Sequence, residues 1–492
     1  MIEWRLLLLS AFLISSLSFA QSNDELQPSH ASRAGNLSSE SAYNNANVID
    51  LTLSDAIYLG LRDNRSIRSI YLSRISQKFD LRVAQDRFTP KLVLNASYLS
   101  DRNQSDSYNQ GNVSPTATLL TPYGTRFSLQ WAGSKTRAKS AGLSGNDGAN
   151  FTVIQPLLRG AGKDVATAPV RFSQLTEQIN RLSLKSTVMQ SVTKIILAYR
   201  DLLLAQEQVK IARESLERSR KLVDVNRAMI TAGRMAEFDI VQTEADVASQ
   251  ELAVEDAHNQ QDTARLALLQ LLALDLSIPV VASDNLTPRH IEINARQALT
   301  EAEVSQPEWL VQIIALEQAG VNLDVARNNR LWDVSLVGGA SQLRGHNEQS
   351  GSSRNWDNYL GVQVAIPVGD MSARQDELQA QVNVETQKLQ LQEARQQMER
   401  DVTDAVRNIG ARWRQYEIAL RISDLSRKKL DIERQKLNAG RSSNFQVLSF
   451  ENDLRNAENV RLNTLINYLN AQSQLDQTLG TTLQSWDISL ND

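Results

Sequence analysis

Residues 195–234 read IILAYRDLLLAQEQVKIARESLERSRKLVDVNRAMITAGR, and two interleaved sets of positions recur in this stretch every seven residues. Ile195, Leu202, Val209, Leu216, Val223 and Ile230 form the large aliphatic set, and Ala198, Ala205, Ala212, Ser219 and Asn226 form the smaller one. Such a seam predicts helices lying side by side, because small residues let backbones approach closely. Gly233 ends the run, since glycine enters the left-handed conformation that closes a helix. Ile240, Val247 and Val254 then carry a returning helix, so the segment is a helical hairpin. Counted from Ser186 to Ala232 at 1.5 Å per residue, the ascending arm is on the order of 70 Å.

The same text occurs twice. Val402, Ile409, Tyr416, Ser423, Leu430 and Leu437 lead to Ala439-Gly440-Arg441 in the phase that leads the first run to Ala232-Gly233-Arg234. Its smaller set is weaker, with Arg412 and Glu433 among Ala405, Ala419 and Ser426; Val447 and Leu454 mark its return. Phe238 and Glu244 follow the first tip as Phe445 and Glu451 follow the second. Upstream, Val153-Ile154-Gln155-Pro156-Leu157 corresponds to Val364-Ala365-Ile366-Pro367-Val368, each a strand closed by a proline that cannot continue a ladder. Val83-Ala84 before Leu92–Leu94 corresponds to Val325-Ala326 before Val334–Leu336. Shared anchors in one order indicate an internal duplication.

Around these anchors run short alternating segments: Leu92 to Leu99, Arg126 to Trp131 and Tyr359 to Ile366, apolar on one face and mostly small or polar on the other. Two strands per copy give about four in the chain, with an extra hairpin of 116–120 and 125–131 turning at Pro122-Tyr123-Gly124. Nothing in the 492 residues is a long enough apolar helix to span a bilayer after the first twenty, so any membrane passage is by a barrel. Single-chain barrels begin at about eight strands, and an open sheet edge has no partner in lipid. Closure therefore requires several copies.

The net charge of −4 gives no polyanion-binding surface, and 22% charged with 5% aromatic residues suits long solvated helices. With no cysteine, disulfides, thiolate metal sites and an acylated N-terminal Cys are excluded. Arg5, the apolar run Leu6 to Leu17 and Ser18-Phe19-Ala20 predict a signal peptide over 1–20, followed by a disordered lead-in over 21–50. Order is expected from Leu51, with Ser54 capping a first helix. The expected divisions are 51–285 for the first repeat, 286–480 for the second and 481–492 for a C-terminal tail.

Two copies of helix, strands and long helical hairpin, with Pro-closed strands and Ala-Gly-Arg tips, resemble the TolC outer-membrane efflux family from about Leu51 to Gly480. The resemblance implies an α+β membrane protein of a Gram-negative outer membrane: a homotrimer sharing a twelve-stranded transmembrane barrel, continued by an antiparallel coiled-coil tunnel of twelve helices through the periplasm. It implies docking of a periplasmic adaptor at Ala232, Gly233, Arg234, Ala439, Gly440 and Arg441. An inner-membrane transporter or ABC ATPase would complete an efflux pump or type I secretion system. Gate candidates are Asp239, Gln446, Ser449, Glu451 and Asp453. Here the chain departs from the family, which places inward carboxylates where Gln446 and Ser449 stand, and a base where Ser442 stands.

No catalytic motif, cofactor site or nucleic-acid-binding patch is found. His30, His258, His290 and His346 lack metal-ligand spacing, and His258 near Glu255 and Asp262 reads as a polar stripe. Gly142 to Gly148 lacks the strand-to-helix frame of a phosphate loop and reads as an exposed loop. A periplasmic adaptor or a coiled-coil scaffold would also contain helical hairpins. The duplication argues against the first and the Pro-stopped strands against the second.

Overall fold

The computed structural model describes residues 48–102, 104, 107–139, 142–348, 351–369 and 371–490. The signal peptide and most of the lead-in fall outside these residues. In chain order come β1 (Ile49–Leu51), α1 (Leu53–Asp63), α2 (Arg65–Gln85), β2 (Lys91–Arg102), β3 (Ser107–Leu120), β4 (Arg126–Ala138) and β5 (Gly142–Pro156). A short α3 (Lys163–Ala166) precedes the hairpin of α4 (Ala168–Thr231) and α5 (Asp239–Leu271). Then follow β6 (Val280–Ala282), α6 (Ala295–Ser305), α7 (Pro307–Asn329), β7 (Asp333–Asn347), β8 (Gly351–Ala365), α8 (Ser372–Asn438), α9 (Asn444–Leu479) and α10 (Thr482–Ser485).

The chain becomes ordered slightly earlier than its sequence indicates. Ile49 and Asp50, placed in the lead-in, pair in parallel with Val280 and Val281. Thr52 rather than Ser54 caps α1, because Thr52 and Asp55 form a reciprocal capping box. Asn64 then caps α2 by accepting from the Ser66 and Ile67 amides, and its own amide donates to the Leu271 carbonyl.

The helical arms are longer than the sequence estimate. α4 has 64 residues and α8 has 67, which at 1.5 Å per residue is about 100 Å each. The difference arises at the start, where Pro169 sits in the first turn of α4, a position that needs no amide donor. Ile195, Leu202, Val209 and Val223 are buried along the seam, as are Ala205, Ala212, Ser219 and Asn226. In the second copy Val402, Ile409, Ser423, Leu430 and Leu437 are buried, and so is the out-of-pattern Glu433. α4 packs on α5 and α9, α8 on α9 and α7, and α4 also on α2 and α7. The main core lies where α1, α2, α4 and α5 meet, and Leu483 and Trp486 from the C-terminal end pack into it.

All the strands except β1 and β6 form one sheet in the order β2-β3-β4-β5-β7-β8, antiparallel throughout. The extra hairpin is thus a full strand pair, β3 and β4, and the count rises from about four to six. Gly142 to Gly148 is not a loop. It forms the first half of β5, paired with β4 throughout and with β7 from Ser144 onward. Glycine is needed there in part because a Cβ on Gly148 would lie 2.5 Å from the Gln342 carbonyl oxygen.

The sheet is two-faced and skewed. Registered partners share a face, so Leu94, Pro115, Ala117, Leu129, Phe151 and Leu360 lie on one side, and Asn95, Ser114, Thr116, Gln130, Asn150 and Tyr359 on the other. Following the hydrogen-bonded row from Lys91 leads through Thr118, Ser128, Thr152 and Gly339 to Tyr359, six residues before the end of β8 at Ala365. Over five strand spacings that offset is about 20 Å against 24 Å, a slant of about 40°. Outer-membrane barrel strands tilt by 35–45°.

Candidate functional site: the hairpin tips and the wall between them

Both tips end in the same hydrogen-bonded cap. The Gly233 amide donates to the Ile230 carbonyl at 2.9 Å and the Arg234 amide to the Met229 carbonyl at 2.8 Å. At the second tip Gly440 donates to Leu437 at 2.9 Å and Arg441 to Lys436 at 2.8 Å. This pair of bonds is the Schellman motif, which requires a left-handed residue between them. Gly233 at φ +67° and Gly440 at φ +69° supply it. The Ala-Gly-Arg signature therefore has a backbone reason that holds whatever the tips bind. Ala232, Gly233, Arg234, Ala439, Gly440 and Arg441 are all exposed.

Past the tips the two returning helices differ. Asp239 is the first residue of α5, where its charge suits the helix N-terminus. Ser443 caps α9 by accepting from the Gln446 amide. Ser449 is half-buried, and Asp453 is exposed and bridged to Lys429 at 2.9 Å. Ser442, in place of a base, donates to Glu433 at 2.6 Å. That bond and Lys436 hold the Glu433 carboxyl below its ordinary pKa.

Glu451 sits apart from these. Its side chain is buried between the hairpins and takes Arg218 of α4 on one oxygen and Arg434 of α8 on the other, the latter at 3.0 Å. One heptad further, Glu458 takes Arg427 of α8 at 2.8 Å and faces Arg218 at 3.8 Å. Arg455 extends from α9 to Gln250 of α5 at 2.8 Å. Higher up, Arg200 of α4 donates to the Leu469 carbonyl at 2.5 Å and to Ser473 at 3.0 Å, both on α9, and burial brings its pKa down to about 10. The structure thus brings one gate candidate, Glu451, together with two arginines that the sequence reading passed over, Arg218 and Arg434, and sets Glu458 beside them with Arg427. A signal was present: Arg427 and Arg434 are seven residues apart, as are Glu451 and Glu458. On antiparallel helices that spacing aligns two opposite pairs.

The strand-closing prolines also differ in detail. Pro156 is the last residue of β5, opposite Ser335, whereas β8 ends at Ala365, two residues before Pro367. Among the described residues no three histidine or carboxylate side chains converge as metal ligands, and His258 lies 2.8 Å from Arg213.

Residues 298–481, the second helical hairpin with its strands, match the outer membrane efflux protein family. No curated protein sequence matches the chain. Solved structures are similar over nearly its whole length. The CmeC outer membrane channel of Campylobacter jejuni is 14% identical with a TM-score of 0.66, covering 93% of this chain and 94% of its own. The outer membrane protein VceC of Vibrio cholerae is 15% identical at 0.66, covering 87% and 96%. The open state of the MtrE outer membrane channel of Neisseria gonorrhoeae is 16% identical at 0.66, covering 88% and 89%. Residues 298–481 thus carry the match to the outer membrane efflux protein family, and the chain shares the fold of these outer membrane channels over nearly all of its length.

Proposed function

We propose that this chain is a TolC-like outer membrane efflux protein that works as a passive exit duct, formed when three copies close their sheets into one barrel and their helices into one tunnel. The observation that carries the reading is the sheet itself. β2 and β8 are its edges, each bonded on one side only, and β2 leads away from the helical body whereas β8 returns to it. Brought together from neighbouring copies, they are antiparallel and can bond as β2 and β3 do. Without that closure, two rows of backbone amides and carbonyls would face lipid, at several kcal/mol for each unsatisfied group. Three copies give eighteen strands, against the twelve that four-stranded chains would give.

In this reading the barrel lies in the outer membrane of a Gram-negative cell and the helices extend into the periplasm. The two repeats, 51–285 and 286–480, contribute equivalent hairpins, and the six tip residues form a ring that meets a periplasmic adaptor. Asp239, Gln446, Ser449, Glu451 and Asp453 line or brace the entrance that the tips surround. The duct has no chemistry of its own, so an inner-membrane transporter or ABC ATPase supplies the energy. Native mass spectrometry of the detergent-solubilised protein, with heat-modifiable gel mobility, tests the assembly. Three chains are expected, and a stable monomer needing no detergent would overturn it. Cysteines at positions 233 and 440 test docking, through crosslinks to candidate adaptors in cells whose barrel assembly is intact.

A further inference from the structure

The apolar face of the sheet changes character toward the end remote from the helices. There it carries Arg102, Lys135, Arg137, Arg344 and Arg354, all exposed. The opposite face at the same levels presents Gln110, Asn112, Ser134 and Thr136. The cations are thus confined to the outward side. At the helical end the outward face carries Leu92, Phe127, Leu336 and Val364, with no Lys or Arg.

The cations also lie at one height. The hydrogen-bonded row from Arg354 runs through Arg344, Asp147, Gly133 and Val113 to Ala96, six residues short of Arg102. This is the offset found at the opposite ends of the same strands. On β4 the row passes Gly133, so Lys135 and Arg137 fall two and four residues beyond it, on the same slanting line. Strands tilted by about 40° bring such a line parallel to the membrane plane. Tyr98, Trp131 and Trp356 lie just below the cations on β2, β4 and β8, all exposed, at the height where aromatic girdles mark a membrane interface. Among the described residues no ion pair engages any of the five cations, and Asp147 is the one carboxylate in their row.

We propose that this outward basic band binds the phosphate groups of phosphorylated lipid in the outer leaflet. The proposal rests on the barrel reading above and adds a lipid partner to it. Arginine in particular matches phosphate through paired N–H donors. A free anion would gain little from such a position, because the band stands directly above lipid-facing aromatics and its charges are spread around the wall instead of converging on a pocket. A cation close to an anionic lipid surface contributes roughly fivefold to binding.

The test uses the purified detergent-solubilised oligomer, supplemented with lipid A or with dephosphorylated lipid A and examined by native mass spectrometry. The wild-type protein is expected to retain the phosphorylated form preferentially. The variant K135Q/R137Q/R344Q/R354Q is expected to lose at least tenfold of that retention, whereas R126Q on the lumen face leaves it unchanged. The single variants R137Q and R344Q, each expected to lower retention severalfold, serve if the quadruple variant does not assemble. Equal retention of both lipids by the wild type, or unchanged retention in every outward variant, would overturn the proposal. Failure of the barrel reading would look different: neither wild type nor variants would give a heat-modifiable oligomer.

Discussion

Arg74 of α2 and Glu177 of α4 form a two-point ion pair, with nitrogen–oxygen distances of 2.5 and 2.9 Å, and both side chains are almost wholly buried. Arg181, one turn along α4, adds a third contact to the same carboxylate at 3.2 Å. The pair joins the first repeat's upper helix to the long arm below the sheet.

Removing one member leaves the other charged and buried, which typically costs 3–5 kcal/mol. Glu177→Gln is therefore expected to destabilise the α2–α4 junction by about 3 kcal/mol, seen as faster amide exchange in residues 65–85. An apolar double replacement, R74M/E177L, is expected to recover most of the loss. Exchange rates in E177Q equal to wild type would show the pair to be dispensable.

Acid should act at the same place. The Arg74 guanidinium holds the Glu177 carboxyl below its ordinary value of 4.5. A group whose folded pKa is lowered contributes stability above the unfolded value and loses it as pH falls through the folded one. Junction protection in the wild type is expected to be constant above about pH 5 and to decline in more acid solution, and E177Q should remove that decline. An identical acid profile in the two proteins would assign the effect to other carboxylates.

At the tips the constraint is backbone alone, since a Cβ on Gly233 or Gly440 would meet nothing within 4 Å. Gly440→Val is expected to cost about 1–2 kcal/mol in the cap, and Gly440→Asn less, because Asn tolerates left-handed backbone better than a β-branched residue. Limited proteolysis around residues 438–443 reads the difference. If Asn and Val behave alike, the left-handed cap does not govern the tip.

Between the hairpins, Glu451→Gln leaves Arg218 and Arg434 facing each other without the charge that holds them, and about 3 kcal/mol of local stability is expected to go. Glu458→Gln should be milder, because its second oxygen has no hydrogen-bond partner in the wild type. Single-channel recordings in planar bilayers test the consequence for the entrance. E451Q is expected to open more readily than E458Q, and equal conductance would remove Glu451 from the gate.

Deleting residues 107–138 removes β3 and β4 yet leaves β2 and β5 antiparallel and joined by a short link. In a trimer the barrel then falls from eighteen to twelve strands. At ~4.8 Å between strands and ~40° tilt its diameter drops from about 36 Å to about 24 Å. Electron microscopy of the oligomer measures this directly. A variant barrel of unchanged width would show that β3 and β4 stand outside the closed sheet.

The helical half of this architecture was legible because its signal is dense. A buried residue every seven positions from Ala205 to Asn226 leaves little choice of period, and glycine at the tip fixes the end. The strands were legible only at their lower ends, where Leu92 and Leu94, Phe127 and Leu129, and Leu360 and Val362 face outward. Higher up, one face holds arginines and the other asparagine, serine and glycine, so alternation in hydropathy vanishes although alternation in space continues. That is why the sequence of Gly142–Gly148 reads as a loop although it lies in a strand. Of the site, the caps at Gly233 and Gly440 were readable from local chemistry. The grip of Arg218 on Glu451 was not, since it joins residues 233 apart in sequence and depends on which helix lies beside which.

The sixth strand has a bearing on passage itself. Six tilted strands cover an arc of about 38 Å of the barrel circumference, and the four helices each copy offers at any level of the tunnel, side by side at 8–10 Å, cover roughly 32–40 Å. Four strands would cover only about 25 Å. In the proposed trimer, membrane section and tunnel would therefore have equal girth, and the bore would continue across their junction without a collar. Anything small enough to enter between the hairpin tips would then meet no narrower backbone ring on its way out, which would leave sorting to the mouth.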